Sequence, residues 1–235
     1  MPGGLLNLVA YGNLNIILNG NPSKTFFKAT YAKYTNFGLQ KFRIDYNDLR
    51  SLRLTDDSTF SFSIPYNGDL LMDTYLSVKL PDIYSPIYGP PDISFVQPYE
   101  FKWIENLGSN LLRAVRFMID GVIIQEFTGQ YLQSMVQRDF TEVKKQLFNE
   151  MIGNTTELND PANYSNRNGN YPSASTNNYS INQWSNGVEP SIRGRTIYIP
   201  LNIWSTLLSE MALPLLCLQY NKVVIEIVCR PIQDL

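Results

Sequence analysis

The sequence predicts an all-β protein, an antiparallel β-sandwich, and three observations carry that prediction. Apolar and polar residues alternate along short segments, above all Thr59 to Ile64 and Leu71 to Leu80, the period of two that places one face of a strand in a core. Asn67-Gly68 and Asp120-Gly121 stand between such segments, where tight hairpins need residues that tolerate positive φ. A helical period appears in force only between Gln130 and Ile152, so helix is an insertion in the framework and not the framework itself.

Taken in order, residues 1–24 hold apolar side chains without regular spacing and run into the turn signal Gly20-Asn21-Pro22. They read as an arm that docks on another surface. Thr25 to Tyr31 is the first candidate strand. In the second, Phe60, Phe62 and Ile64 share one face, and a turn at Asn67-Gly68 is expected to hairpin it onto the next. There Met72, Thr74, Leu76, Val78 and Leu80 face the core while Asp73, Tyr75, Ser77 and Lys79 face a wetter side.

Residues 81–101 contain Pro81, Pro86, Pro90, Pro91 and Pro98. Proline at that density forbids a central strand, which leaves a stiff, aromatic loop. A second hairpin follows, Leu111 to Ile119 and Val122 to Phe127, turning at Asp120-Gly121. Both strands are largely apolar on both faces, the exceptions being Arg113, Arg116, Gln125 and Glu126, which predicts a central position. Leu132, Met135, Val136, Phe140, Val143, Leu147 and Met151 then mark one amphipathic helix, with a Glu142 and Lys145 pair and a stop at Gly153.

Residues 154–186 are almost wholly Asn, Ser, Thr, Tyr and Gly. So polar a stretch has nothing to bury and is expected to be a surface loop. Arg195 to Leu201 is a strand, Ile203 to Met211 a helical patch, and Lys222 to Cys229 the last strand. About seven strands in hairpins fit a jelly roll, whose eight strands in two sheets hide their edges. The sequence stops before an eighth, so residues 25–235 are expected to be a jelly-roll domain lacking its last strand, either the front part of a longer protein or a chain whose sheet a neighbouring chain completes, the first being preferred. An edge left open in this way invites pairing.

The chain has 235 residues, 44% hydrophobic and 17% charged, against about 25% charged in ordinary domains. Such a surface suits a protein that hides area against neighbours. A net charge of −2 gives no global field for binding nucleic acid by counterion release. Locally Lys24, Lys28, Lys33, Lys41 and Arg43 make the N-terminal fifth mildly basic, read as a solvated face in preference to an inner face near anionic lipid or DNA. Neither a signal peptide nor a membrane span is present, which points to synthesis in a reducing cytosol.

Histidine is absent, which removes Ser-His-Asp and Cys-His nucleophiles and imidazole metal centres. No cofactor and no metal are expected. The carboxylate pairs Asp69 with Asp73, and Glu100 with Glu105 around Trp103, are better read as structural than as glycosidase acids. Residues 20–25 end in Lys-Thr but lack the glycine before the lysine that a phosphate loop needs. Cys217 and Cys229 are expected to be small buried hydrophobes. Three glycosylation sequons begin at Asn154, Asn163 and Asn178, all inside the polar loop.

Five collinear blocks carry a family resemblance. They are the opening Gly3-Gly4-Leu5-Leu6 through Tyr34-Thr35-Asn36-Phe37, then Asn67-Gly68-Asp69-Leu70, then Ile119-Asp120-Gly121, then Tyr198-Ile199-Pro200-Leu201, and finally Ala212-Leu213-Pro214-Leu215 with Leu218-Gln219-Tyr220. In these the chain resembles the double-jelly-roll major capsid proteins of large nucleocytoplasmic DNA viruses. The resemblance implies a structural, non-enzymatic protein of the virion, made in the host cytoplasm. It implies homotrimers forming pseudohexagonal capsomers of an icosahedral shell over an inner membrane, with neighbouring capsomers and minor capsid proteins as partners and no direct hold on nucleic acid.

By the same resemblance Leu5, Leu6, Val9 and Tyr11 are the assembly arm, and Phe26 and Phe27 anchor it to the barrel. Tyr84, Tyr88, Phe95, Tyr99 and Trp103 belong to a loop between subunits. The alternative is a carbohydrate-binding jelly roll that stacks sugars on Tyr84, Tyr88, Tyr99 and Trp103. On the capsid reading, deleting residues 158–183 is expected to leave trimers intact.

Overall fold

A computed structural model describes residues 35–46, 48, 51–85, 100–169, 171–172 and 190–235. The chain divides into two units, residues 1–43 and 44–235. Of the first, residues 35–43 are exposed and form no regular element. The candidate strand Thr25 to Tyr31 lies outside the described residues.

In the second unit the described residues form eight strands: Ser58–Ser63 (β1), Leu70–Leu71 (β2), Tyr75–Lys79 (β3), Leu112–Ile119 (β4), Val122–Phe127 (β5), Thr196–Pro200 (β6), Leu213–Pro214 (β7) and Val223–Cys229 (β8). Four α-helices accompany them: Leu107–Leu111 (α1), Gly129–Asp139 (α2), Glu142–Ile152 (α3) and Thr156–Asn159 (α4). All strand pairs are antiparallel. One sheet has the order β1-β8-β4-β5, and β3 with β6 and β2 with β7 make two-stranded ladders.

The alternation in β8 builds the core. Val223, Ile225, Ile227 and Cys229 are buried, with half-exposed residues between them. Phe60 and Val115 flank Ile227, and Phe62 and Phe117 flank Ile225, so two apolar rows cross three strands on one face. From the β3 and β6 ladder, Leu76 opposite Ile199 and Val78 opposite Ile197 join the same cluster, as do Leu107, Leu111 and Trp103. Burying each large side chain contributes about 1.5–3 kcal/mol.

The hairpin at Asp120-Gly121 forms as its residues require. Their φ values are 50° and 80°, the positive pair of a two-residue primed turn. The Asp120 carboxylate accepts hydrogen bonds from the Lys222 backbone N–H and the Asn221 amide, both at 2.5 Å, which pins the turn to the start of β8. Gly153 likewise ends α3 at φ 80°, and Lys145 reaches Glu142 at 2.9 Å.

Several expectations are corrected. The hairpin at Asn67-Gly68 does not form: β1 pairs with β8 and β3 with β6, so the chain passes from one sheet to the other there. Alternation specifies which face is buried but not which partner pairs. The expected strand Leu71 to Leu80 is interrupted, its first residues pairing with β7 and the rest with β6. The strand β5 lies at the sheet margin, not its centre, with Val122, Ile123 and Ile124 50–62% exposed and a bulge where Ile124 has no partner in β4.

The single helix is two. Phe140 takes an extended conformation at φ −91°, ψ 141°, which turns its ring edge-on to Phe148 at 6.1 Å. With Val136 and Ile152 these rings make a second small core, and the break leaves Val143 and Leu147 exposed. The patch Ile203 to Met211 is two 3₁₀ turns, Trp204–Thr206 and Ser209–Met211. Cys229 is buried as expected, but Cys217 is exposed.

Two substitutions test this packing. Phe117→Ala, at a fully buried site, is expected to cost about 3–5 kcal/mol in denaturant unfolding. At Gly129 an added Cβ would lie 1.7 Å from the Ser109 carbonyl oxygen and 2.7 Å from that of Leu112. Gly129→Ala is therefore expected to lower the unfolding midpoint despite alanine's better helix propensity.

Candidate assembly surfaces

The two long loops leave the body from roots that are stitched together. Ile83 and Ile192 form an antiparallel bridge. Beside it the Ser85 N–H donates to the Ser191 hydroxyl at 3.0 Å, and that hydroxyl donates to the Ser85 carbonyl. Both serines are buried, so the exchange satisfies polar groups that would otherwise be costly there. The Gly194 N–H donates to the Asp82 carboxylate at 2.7 Å, and a Cβ on Gly194 would lie 2.6 Å from the Leu80 carbonyl oxygen.

The other ends of the loops are joined as well. The Trp103 N–H donates to the Leu158 carbonyl at 3.0 Å, and the Tyr171 hydroxyl to the Phe101 carbonyl at 2.8 Å. The Arg195 guanidinium pairs with Glu157. Trp103 is only 8% exposed and meets Phe101 edge-on at 5.1 Å. It is a core residue of its own chain, where it offers a face neither to a neighbouring subunit nor to a sugar. Tyr84 is 48% exposed, whereas Tyr88, Phe95 and Tyr99 lie outside the described residues.

The polar loop is partly framework. Leu158 is fully buried. Asn154 Oδ1 accepts from the Asn106 N–H at 3.1 Å and the Asn159 amide at 2.6 Å, while its Nδ2 donates to Asn149 Oδ1 at 3.4 Å. Asn106 has φ 52°, and its bond to Asn154 ties the start of α1 to the end of α3. Deleting residues 158–183 would therefore remove part of the core. The exposed Asn163 amide donates to Asp160 at 2.8 Å; Asn178 lies outside the described residues, as do Leu5, Leu6, Val9, Tyr11, Phe26 and Phe27.

On the outer face of the large sheet Arg116 bridges Glu226 on β8 at 2.8 Å and Glu126 on β5 at 2.9 Å. The hydrogen bonds it donates to Glu226 first, and to Glu126 next, raise its pKa further. Such a network orders the sheet laterally without chemistry of its own. Of the proposed acid pairs, Asp69 and Asp73 are both exposed, as are Glu100 and Glu105.

Among the described residues no metal-ligating cluster is gathered. These surfaces combine joined loop roots with apolar side chains left on the outside. Comparison with solved structures gives that build a fold, the jelly roll also seen in two viral capsid proteins. The VP54 protein of PBCV-1, from a crystal structure fitted into a reconstruction of the virophage Sputnik, superposes with a TM-score of 0.56 at 19% identity, over 88% of this chain and 38% of that one. The Faustovirus major capsid protein superposes at 0.50 with 17% identity, over 98% and 50%.

Sequence comparison then settles the family. The family described as the major capsid protein N-terminus matches residues 25–235, and the chain belongs to it. The major capsid protein of Phaeocystis pouchetii virus is 31% identical over 243 residues, 100% of this chain and 42% of its own length. Capsid protein 1 of Acanthamoeba polyphaga mimivirus is 30% identical over 230 residues, 98% of this chain and 35% of its own. The chain thus spans under half the length of these relatives. The resemblance seen in the five sequence blocks is the one these comparisons show.

Two measurements check the local chemistry. Burial first, and the nearby Asp57 charge next, push the Cys229 thiol from 9.0 up to about 12. Native protein at pH 8 is expected to take one alkyl group per chain, at Cys217, and two after denaturation. Because the folded thiol titrates above the unfolded one, stability is expected to fall as pH rises from 9 towards about 12. Asn154→Ala strips the Asn106 N–H of its acceptor and is expected to cost about 1–3 kcal/mol in chemical unfolding.

Proposed function

We propose that this chain is the N-terminal jelly roll of a double-jelly-roll major capsid protein whose homotrimers form pseudohexagonal capsomers in the icosahedral shell of a large DNA virus. The observation that carries the reading is the family match over residues 25–235, with relatives more than twice as long as the chain. On this reading the last strand and the second jelly roll belong to the same polypeptide. Synthesis is in the host cytoplasm, and the inner membrane, minor capsid proteins and neighbouring capsomers are the partners.

Residues 1–24 serve as the assembly arm through Leu5, Leu6, Val9 and Tyr11, with Phe26 and Phe27 at its attachment. Tyr84, Tyr88, Phe95 and Tyr99 belong to the loop that meets the next subunit. The stitched roots support treating the two loops as rising from one base. Glycosylation, where it occurs, falls on Asn163 or Asn178, because Asn154 is half-buried with its side chain set among Asn106, Asn149 and Asn159.

The test is the assembly state of the full-length protein, by denaturing mass spectrometry and light scattering. A polypeptide of about twice this chain's mass running as a trimer is the expected result; a soluble monomer of 26.9 kDa overturns the reading. Deleting residues 173–189, beyond the Tyr171 contact, is expected to leave trimers intact. Deleting residues 2–19 is expected to spare trimers and impair shell assembly.

A further inference from the structure

The fold leaves the turn signal Asn67-Gly68 without its expected task, since no hairpin forms there. Residues 65–70 are all exposed. Neither Asn67 nor Gly68 takes a positive φ, and a Cβ on Gly68 would meet nothing within 4 Å. Backbone conformation and space therefore do not call for glycine at this position. Among the described residues the Asn67 side chain and the Gly68 N–H make no hydrogen bond.

The same dipeptide at Asn168-Gly169 is held in another way. Its φ values are 50° and 85°, and the Gly169 N–H donates to the Ala162 carbonyl at 3.2 Å. Elsewhere the Asn154 side chain is fixed among Asn106, Asn149 and Asn159, and the Asn163 amide donates to Asp160. Asn67 thus combines what those positions lack, an unengaged amide followed by an unengaged backbone nitrogen that no side chain shields. The pairs Asn19-Gly20 and Asn186-Gly187 lie outside the described residues.

We propose that Asn67 is a site of self-modification, at which the Gly68 backbone nitrogen attacks the Asn67 side-chain carbonyl carbon and the asparagine becomes isoaspartate and aspartate. The Gly68 nitrogen gives up its proton to solvent as its bond to Asn67 Cγ forms. The bond from Cγ to Nδ2 breaks, and Nδ2 takes up protons and leaves as ammonia. Water then opens the resulting five-membered succinimide. Cleavage of the backbone carbonyl to nitrogen bond gives isoaspartate, and cleavage of the Cγ to nitrogen bond gives aspartate. Water enters, ammonia leaves, and nothing is oxidised or reduced. The product adds a carboxylate beside Asp69, and isoaspartate lengthens the backbone by one methylene in the link between the sheets. Old copies of the chain become chemically distinct from new ones.

The experiment ages the full-length protein at pH 8, native and in denaturant, digests samples at acid pH, and follows the peptides holding residues 67 and 168 by mass spectrometry that separates isoaspartate from aspartate. In the native protein Asn67 is expected to convert about tenfold faster than Asn168 or more, the factor in rate that one retained hydrogen bond on the attacking nitrogen represents. Unfolding is expected to bring the two rates together by accelerating Asn168. An Asn67 that stays intact in the native protein while converting in denaturant overturns the proposal, as do equal native rates at the two positions. Gly68→Ala, for which the fold has room, is expected to slow conversion several-fold because its Cβ crowds the nitrogen. An unchanged rate in that variant, or aspartate without isoaspartate, overturns the succinimide route.

Discussion

The strand Val223–Cys229 is held on both sides at once, by β1 from more than 150 residues earlier and by β4 from the middle of the chain. Its inward side chains are the centre of both apolar rows, so neither Phe60 and Phe62 nor Val115 and Phe117 have their packing partner until β8 arrives. Such pairing closes long loops before any contact rewards it, which makes the sheet a late and cooperative event. The Asp120 carboxylate, fastened to Asn221 and Lys222, sets the register in which β8 enters.

A second constraint lies at the loop roots. Two insertions that differ in composition, one rich in proline and aromatic residues and one polar, share a base made by the Ile83 bridge, the Ser85 and Ser191 exchange and the Trp103 to Leu158 bond. The body tolerates long insertions because their ends are already fixed side by side, and closure costs little more for a longer loop. Change beyond the roots is thereby separated from the core.

Function in such a protein is distributed over surface. The Arg116 network orders one outer face, the loop roots organise one end, and Leu70, Leu216 and Tyr220 are among the large apolar side chains left exposed. Each is stable in the single chain yet leaves area that water covers poorly. On the capsid reading proposed above, covering that area is the work of assembly.

Much of this was legible in the residues. Alternation placed β1 and β3 and their buried faces, strands were expected where β6 and β8 lie, Asp120-Gly121 announced its turn, Gly153 its helix stop, and the lack of histidine narrowed the chemistry, because these properties depend on neighbours within a few positions. Partner choice did not follow. Only the tertiary structure decided that Asn67-Gly68 carries the chain between sheets, that apolar β5 lies at a margin, that Phe140 breaks a helix to reach Phe148, and that Trp103 and Leu158 are core while Cys217 is not. Each of those outcomes turns on contacts between residues far apart in sequence, where many pairings satisfy the same local pattern and only the packing of the whole distinguishes them.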